Sequence, residues 1–481
     1  AYRIIKIDIN ERVTQALADS PLTKKDVLRC KNFYTLGLMY WLYSRPLEPT
    51  LDWLAKKFKS KPELVDANQT ALKAGYNAGS IHEFFQGRYE VAPQENVAPG
   101  TYRNIMGNEG LALGLVAGAQ LADLEVLLGS YPITPATDIL QHLAKLKHYG
   151  VITMQMEDEI AGICSAIGGS YAGKLGVTTT SGPGLALKTE ALGLAVMTEL
   201  PLVVVNVQRA GPSTGLPTKV EQSDLSQSLF GRNGEAPIPV IACSTPADAF
   251  ECAVEATRIA TQYMTPVILL SDNYSANGSE PWKLPELDQL EPFPVVRPEA
   301  GDEPFLPYVR DEKRSRPWAI PGQPGLEHRI GGLEKQHETG NVSHDAENHQ
   351  FMVQMRLDKI MGIRETIPSP EPHGNDGGLL VVGWGSTYGA IRSAVEKMAD
   401  DGQKVSHLHL RHIYPLPGGL AEIFASYEQI IVPELNMGQL ARFLQSEYPE
   451  FRFQTYDKVK GKPFTAFELR EKFTEMLEVV S

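Results

Sequence analysis

Four short segments of this 481-residue chain carry the side chains best suited to chemistry. The first is Tyr131-Pro132-Ile133-Thr134-Pro135, which follows the apolar run 125–128. The prolines on either side of Thr134 restrict the backbone and hold the threonine hydroxyl in one direction. Such a hydroxyl could bond a substrate carbonyl or carboxylate, but a stiff strand-to-helix turn would have the same sequence. Thr137 is a candidate N-cap of the helix that follows.

The second segment is the acidic run Glu157-Asp158-Glu159, directly before the small and apolar residues 160–169. The small residues predict a helix that packs closely against another surface. Glu159 would then lie at the helix N-terminus, where the helix dipole stabilises a carboxylate by a few tenths to about 1 kcal/mol. Two interpretations stay open: a carboxylate placed for chemistry, or a helix start whose acidic residues only balance the dipole.

The third segment, residues 178–184, reads Thr-Thr-Thr-Ser-Gly-Pro-Gly. It predicts a strand that enters a glycine-rich turn and then a helix. Backbone N–H groups and the hydroxyls of Thr180 and Ser181, next to Gly182, would face the crevice at the strand end. The segment contains neither GxGxxG nor GxxxxGK[ST], so it does not indicate a dinucleotide or a P-loop nucleotide site.

The fourth segment places Arg209 at the end of the apolar run 201–205. A guanidinium at the end of a buried strand is costly unless its charge is paired. No acidic residue lies nearby in the sequence, so an incoming carboxylate, held by two parallel hydrogen bonds, is a good candidate partner. The alternative is an ion pair with an Asp or Glu distant in sequence.

These segments interrupt a regular pattern of short apolar runs and longer amphipathic stretches. The runs predict strands at residues 125–128, 176–180, 201–205, 239–242 and 266–270. Continuous apolar strands separated by helices are typical of a parallel sheet covered on both faces, with its ligand at the strand C-terminal ends. The predicted fold class is therefore α/β with a doubly wound parallel sheet.

The flanking regions predict further domains. Residues 2–9 are expected to form a strand, and the helical spacing that follows completes a first domain at 1–85. The segment 86–101 is predicted as a linker, 102–280 as the central α/β domain, and 281–376 as an extended linker that wraps a neighbouring surface. The α/β pattern resumes in a last domain at 377–481.

Composition narrows the functional class. A net charge of -13 argues against binding to nucleic acid or to an anionic membrane, since both need clustered positive charge. No apolar stretch reaches the ~18–20 residues of a membrane span, and we expect a cytoplasmic protein. The four cysteines are dispersed, so the chain is not expected to hold an iron–sulfur cluster or any other metal.

Taken in order, the four segments resemble the pyrimidine-binding domain of the thiamine-diphosphate-dependent 2-oxoacid:ferredoxin oxidoreductases. The similarity continues through Gly383-Trp384-Gly385-Ser386 and through residues 434–439, which look like the transketolase-C-like domain of that family. Residues 1–85 resemble the second half of its gamma domain, whose start would precede Ala1. The resemblance therefore covers nearly the whole chain.

The resemblance implies a role for each matched residue. Glu159 would hydrogen-bond the aminopyrimidine ring of thiamine diphosphate, Thr134 would contact the substrate near its carbonyl, and Arg209 would anchor the substrate carboxylate. The expected cofactor-binding residues are Glu159, Tyr131, Pro132, Ile133, Thr180, Ser181 and Gly182. Coenzyme A would accept the acyl group, and the electrons would pass to ferredoxin.

The resemblance also implies partners. The Gly-Asp-Gly motif that binds Mg²⁺ and diphosphate in this family is missing here, as are the cluster cysteines, so both are expected in a separate beta subunit. The complex would be a heterotetramer of two alpha and two beta chains.

The strings 332–340 and 356–360 look like the 2-oxoglutarate branch of the family, which implies reversible conversion of 2-oxoglutarate to succinyl-CoA. His337 could meet a second substrate carboxylate or could be a solvated loop histidine. The alternatives that stay open are pyruvate or another 2-oxoacid as substrate, a transketolase-like or 2-oxoacid dehydrogenase component, and a non-catalytic scaffold subunit.

Overall fold

The computed structural model of the chain describes residues 4–81, 85, 87–93 and 97–478. The chain divides into two compact units, Ala1–Pro99 and Gly100–Ser481. Across the described ranges, every helix is too short or too polar to cross a lipid bilayer. The domain boundaries expected from the sequence, at residues 85, 101, 280 and 376, stay predictions.

The first unit is helical over its described residues, with α1 (Ile9–Ala16), α2 (Lys24–Arg29), α3 (Lys31–Leu42), α4 (Glu48–Lys57) and α5 (Pro62–Ile81). The strand expected at residues 2–9 is wrong for the described positions 4–9. The Asp8 carboxylate accepts a hydrogen bond from the Glu11 N–H at 2.9 Å and so caps a helix that begins at Ile9. A short apolar run did not distinguish a strand from this helix start.

The second unit contains all strands of the described structure: β1 (Tyr102–Met106), β2 (Val126–Ser130), β3 (Val151–Gln155), β4 (Leu175–Thr180), β5 (Leu202–Gln208), β6 (Val240–Ala242), β7 (Pro266–Asp272), β8 (Ser279–Lys283), β9 (His373–Gly374), β10 (Leu379–Trp384), β11 (Val405–Leu410), β12 (His412–Tyr414), β13 (Gln429–Glu434) and β14 (Phe453–Asp457). The main sheet has the order β12-β6-β7-β5-β4-β2-β3 and is parallel except for β12. Every residue of β4, β5 and β7 is buried, as expected for strands covered by helices on both faces.

The helices of the second unit are α6 (Gly107–Leu121), α7 (Thr137–Leu143), α8 (Glu159–Tyr171), α9 (Gly182–Leu187), α10 (Thr189–Thr198), α11 (Leu225–Phe230), α12 (Asp248–Gln262), α13 (Asn273–Asn277), α14 (Ala346–Gly362), α15 (Tyr388–Asp400), α16 (Leu420–Ala425), α17 (Gln439–Glu447) and α18 (Ala466–Glu478). Short 3-10 helices lie at Lys147–Tyr149, Leu287–Gln289, Ile363–Thr366 and Gly385–Thr387. The expected N-cap Thr137 is instead the first residue of α7, and Ala136 holds the N-cap position.

A second sheet, in the order β14-β13-β10-β11-β9, occupies the C-terminal segment. The strand that follows β11 leaves this sheet. β12 pairs antiparallel with β6, with His412 opposite Ile241, and so joins the C-terminal segment to the edge of the main sheet. Strands β1 and β8, which precede and follow β2 to β7 in the sequence, form a smaller antiparallel pair.

Candidate active site

The four segments selected from the sequence meet at one edge of the main sheet. Thr134 follows β2, Glu159 follows β3, Thr180 ends β4 and Arg209 follows β5. These four strands are neighbours in the order β3-β2-β4-β5 and are parallel, so their C-terminal ends lie side by side. The edge of an open parallel sheet beyond the strand C-termini is where ligands bind in α/β folds.

Arg209 and Thr134 are in direct contact. The Arg209 Nη1 donates a hydrogen bond of 2.6 Å to the Thr134 carbonyl oxygen, although 75 residues separate the two in sequence. Burial lowers the pKa of the Arg209 guanidinium below its usual value, and the negative charges of Asp224 and Glu159 act against that shift. Within the described part of the chain, the Arg209 Nε has no hydrogen-bond partner. The guanidinium therefore keeps the capacity to bind an anion.

Glu159 begins α8 and is 8% exposed. The preceding Asp158 caps the helix, because its carboxylate accepts a hydrogen bond of 2.7 Å from the Ala161 N–H. The side chain of Glu159 lies over the glycine-rich turn: a Cβ at Gly184 would come within 2.7 Å of the Glu159 Cγ and 2.1 Å of the Thr180 hydroxyl. Gly184 thus makes room for the carboxylate beside β4.

The other predicted cofactor residues surround this turn. Thr180 and Ser181 are fully buried, and a Cβ at Gly182 would lie 2.7 Å from a carboxylate oxygen of Asp224. Tyr131 is 38% exposed at the end of β2, whereas Ile133 packs against the hydrophobic core. The structure places all of these residues at the same sheet edge, and their contacts with a cofactor stay predictions.

Asp224 is a site residue that the sequence analysis missed. Its carboxylate accepts a hydrogen bond of 2.9 Å from the Asn206 amide, and the Ser223 Oγ lies 2.8 Å from both the Asp224 carboxylate and the Arg209 carbonyl oxygen. Burial raises the pKa of Asp224 above its usual value, while the bonds from Asn206 and Ser223 and the charge of Arg209 oppose the shift. Asp224 lies 15 residues beyond Arg209 in a polar run without periodicity, which gave no signal in the sequence.

Gln222 connects this loop to the C-terminal sheet. Its side-chain amide donates to the Trp384 carbonyl at 2.8 Å and accepts from the Leu435 N–H at 2.9 Å. Its backbone carbonyl accepts from the Asn436 amide at 2.9 Å. The two family-like strings in the C-terminal segment therefore hold the loop that carries Asp224, although they lie more than 160 residues away in sequence.

An open cleft of about 490 Å³ lies between this loop and the C-terminal segment. Its walls include Arg209, Glu221, Asp224, Asn436, Met437 and Gln439. His337 does not line the cleft; its ring packs edge-on against Phe351, with centroids 4.6 Å apart. The structure thus favours the loop-histidine interpretation for His337.

The residues present fit one half of a thiamine diphosphate site. A carboxylate lies over a glycine turn that any larger side chain would fill, as expected where a flat ring must approach the backbone. In the described structure, the buried Ser181 hydroxyl and the Asn206 amide oxygen also lack hydrogen-bond partners, so both can serve a ligand. Among the described residues, no group of three or more His, Cys, Asp or Glu side chains is arranged to hold a metal.

Comparison with known protein families gives two matches. Residues 117–348 match the model described as pyruvate flavodoxin/ferredoxin oxidoreductase, thiamine diP-bdg. Residues 378–466 match the model described as pyruvate:ferredoxin oxidoreductase core domain II. The first match contains all four chemistry-bearing segments, and the second begins just before β10.

Similar proteins of known identity agree with these matches. The 2-oxoglutarate oxidoreductase subunit KorA of Mycobacterium tuberculosis is 52% identical over 93% of this chain and 68% of its own length. The 2-oxoglutarate synthase subunit KorA of Archaeoglobus fulgidus is 34% identical over 78% of this chain and 98% of its own length. A solved 2-oxoglutarate:ferredoxin oxidoreductase from Magnetococcus marinus, with 2-oxoglutarate, coenzyme A and succinyl-CoA bound, superposes with a TM-score of 0.88. That structure is 32% identical and covers 97% of this chain and 80% of its own.

Proposed function

The chain belongs to the 2-oxoacid:ferredoxin oxidoreductase family, and we propose on that basis that it is the alpha subunit of a 2-oxoglutarate:ferredoxin oxidoreductase. The reaction is the reversible, coenzyme A-dependent oxidative decarboxylation of 2-oxoglutarate to succinyl-CoA. Two electrons leave the substrate and pass, one at a time, to ferredoxin. The observation that carries the proposal is the meeting of Thr134, Glu159 and Arg209 at one sheet edge, in a chain 52% identical to a 2-oxoglutarate oxidoreductase subunit.

The cofactor in this proposal is thiamine diphosphate, which when bound supplies the nucleophilic carbon and the electron sink for decarboxylation. This chain contributes the half of the site that holds the aminopyrimidine ring, through Glu159 and the turn Thr180-Ser181-Gly182. Mg²⁺, the diphosphate-binding motif and the iron–sulfur cluster belong to a beta subunit. The dispersed, free cysteines of this chain, Cys30, Cys164, Cys243 and Cys252, are consistent with that division.

Glu159 and Arg209 have different roles because their side chains carry opposite charges. The Glu159 carboxylate accepts and returns a proton at a nitrogen of the aminopyrimidine ring. The Arg209 guanidinium has one N–H bound to the Thr134 carbonyl, and its Nε has no partner among the described residues, so it can bind the carboxylate next to the 2-oxo group. Thr134 is thereby held beside the anchored substrate, where its hydroxyl can bond the 2-oxo oxygen.

The beta subunit would cover the exposed side of this site. Tyr131, Met154 and Ile160 lie on the elements that carry Thr134 and Glu159, and they are 38%, 40% and 48% exposed. Apolar side chains clustered beside a half-built site are typical of a protein interface. Two such alpha–beta pairs complete the proposed heterotetramer.

The proposed substrate is tested by measuring viologen reduction by the purified alpha–beta complex in the presence of coenzyme A. We expect kcat/KM for 2-oxoglutarate to exceed that for pyruvate by about 10- to 100-fold, because a charged hydrogen bond to the distal carboxylate contributes about 1.5–3 kcal/mol. Equal or faster turnover of pyruvate would overturn the choice of substrate and leave the family membership intact. A pure complex that fails to reduce viologen with any 2-oxoacid tested would support the scaffold alternative.

The anchoring role of Arg209 predicts that Arg209→Ala lowers kcat/KM for 2-oxoglutarate by about 10- to 100-fold, through the loss of a charged hydrogen bond worth about 1.5–3 kcal/mol. The matched control is Arg392→Ala, which removes a half-exposed arginine that pairs with Glu396 on helix α15. Steady-state kinetics of the two variant complexes measure the effect. If both variants retain wild-type kcat/KM, the substrate carboxylate is held by another residue.

A further inference from the structure

Lys188 is a fully buried lysine between helices α9 and α10, and nothing in the function proposed so far uses it. Its ammonium Nζ donates a hydrogen bond of 2.7 Å to the backbone carbonyl of Glu159 and one of 3.1 Å to the Thr178 hydroxyl. One side chain thus connects the first residue of α8 to strand β4 and to the end of the glycine-rich turn.

The position is unfavourable for a cation by ordinary criteria. The two hydrogen-bond acceptors of the Lys188 Nζ in the described structure, a backbone carbonyl and a hydroxyl, are both neutral. A buried ammonium without a direct ion pair is costly, and the N-terminus of a helix carries the positive end of the dipole. The charges that offset this cost are the nearby carboxylates of Glu159 and Asp158.

The same short stretch of chain contacts Glu159 at two points. Gly184 makes room for the Glu159 side chain, and Lys188, one helical turn later, holds the Glu159 backbone. The Lys188 N–H itself bonds the Gly184 carbonyl at 3.2 Å, so both contacts belong to one rigid turn.

We propose that Lys188 is a positioning residue for Glu159: its buried ammonium fixes the first turn of α8 and provides a positive charge behind the catalytic carboxylate. This inference rests on the proposed function, because it presumes that Glu159 meets the aminopyrimidine ring. Lys188 touches neither substrate nor cofactor. It acts by holding the glutamate in place and by electrostatic attraction to its carboxylate.

The charge of Lys188 is also expected to change within the working pH range. Burial lowers the pKa of Lys188 to about 8, while attraction to Glu159, Asp158 and Cys164 opposes the shift. Asp158, Glu159 and Cys164 lie at or near the N-terminal end of α8. Burial and the negative charge of Glu190 on α10 raise the pKa of the Cys164 thiol. The ammonium is therefore present below pH 8 and lost above it, so the wild-type kcat should fall as the pH rises through about 8.

The test compares Lys188→Met, an uncharged residue of similar length, with Lys188→Arg and with the control Lys174→Met in the complete alpha–beta complex. Lys174 lies at the other end of β4, where it pairs with Glu125 on the surface. We expect Lys188→Met to have an unfolding temperature equal to or above that of the wild type, since an apolar residue of similar volume often replaces a buried charge without loss. Its kcat should nevertheless fall at least tenfold at pH 7, and the decrease in kcat through pH 8 should disappear.

Amide hydrogen exchange gives a readout that does not depend on activity. In Lys188→Met, the first turn of α8, residues 159–163, should exchange faster than in the wild type, while Lys174→Met should leave that turn unchanged. Lys188→Arg should recover part of the kcat. A Lys188→Met complex with wild-type kcat, the wild-type decrease through pH 8 and unchanged exchange would overturn the proposal. If the proposed function is wrong, the wild-type complex will not oxidise 2-oxoglutarate. The exchange experiment would in that case still report on the Lys188–Glu159 contact.

Discussion

Glu159→Gln should lower the kcat of the assembled complex by about 10²- to 10⁴-fold, the usual contribution of a residue that transfers a proton. Glutamine has the size of glutamate and fits over Gly184, but it cannot carry a negative charge or accept and return a proton at a ring nitrogen. The fold should tolerate the change, because Asp158 and not Glu159 caps helix α8. The measurement is viologen reduction under saturating 2-oxoglutarate, coenzyme A and thiamine diphosphate.

The control for this prediction is Glu157→Gln, an exposed acidic residue two positions earlier in the same run. Its replacement changes the net charge of the chain by the same amount without touching the glycine turn, so the kcat of this variant should stay within about twofold of the wild type. Thiamine diphosphate binding, followed by calorimetry, separates a chemical defect from a vacant site. If Glu159→Gln turns over at the wild-type rate with the cofactor bound, the helix-start interpretation of Glu159 is correct.

Glu199→Gln should lower the free energy of unfolding by about 3–5 kcal/mol, the usual cost of removing one partner from a buried ion pair. The Glu199 carboxylate is almost completely buried at the end of α10. It accepts two hydrogen bonds of 2.5 Å from the Arg310 guanidinium and one of 2.6 Å from the Lys359 ammonium. Neutral glutamine would remove the only carboxylate that both buried cations contact in the described structure.

The pH dependence of this effect follows from the same contacts. Burial by itself would raise the pKa of Glu199, but the charges of Lys359 and Arg310 outweigh it and hold the pKa well below its usual range. A carboxyl group with a depressed folded-state pKa stabilises the fold above its unfolded pKa, near 4.5, and loses that contribution as the pH falls further. The difference in stability between wild type and Glu199→Gln should therefore be largest at neutral pH and shrink below about pH 4.5.

Chemical denaturation of the two proteins measures this prediction, with Glu299→Gln as the control. Glu299 is an exposed residue of the segment 281–376, in which Arg310 and Lys359 also lie. Its replacement should change the free energy of unfolding by less than about 0.5 kcal/mol. Equal stability of Glu199→Gln and Glu299→Gln would mean that the ion pairs do not fasten this segment to the rest of the unit.

Much of the central region was predictable from the sequence, because the signals are local. Apolar runs gave the strands β2, β4, β5, β6 and β7 to within a few residues. Prolines and glycines marked the turns between these elements. The failures were also local. The strand predicted at residues 2–9 does not form over the described positions 4–9, where helix α1 begins at Ile9. Helix α14, whose polar and apolar residues follow no clear stripe, was not predicted inside the segment 281–376.

The residues of the candidate site were likewise only partly predictable from the sequence. Thr134 and Arg209 were selectable because each follows a predicted strand, at the edge where parallel sheets bind ligands. Glu159 was selectable because it begins a predicted helix, where the dipole favours a carboxylate. No comparable pattern in the sequence indicated Gln222, Asp224 or Lys188. Their roles depend on partners 10 to 214 residues away, which spacing along the chain cannot reveal.

The sequence by itself therefore determined the fold class, five of the seven strands of the main sheet, and Thr134, Glu159 and Arg209 as candidate residues at its ligand-binding edge. Hydrophobic periodicity and turn residues act between neighbours, so the order of residues is enough to specify them. Only the tertiary structure decided which charges are buried and what neutralises them. Glu199 meets Arg310 and Lys359 across 111 and 160 residues, and Lys188 meets Glu159 across 29, because burial makes an unpaired charge costly only after the chain has folded around it.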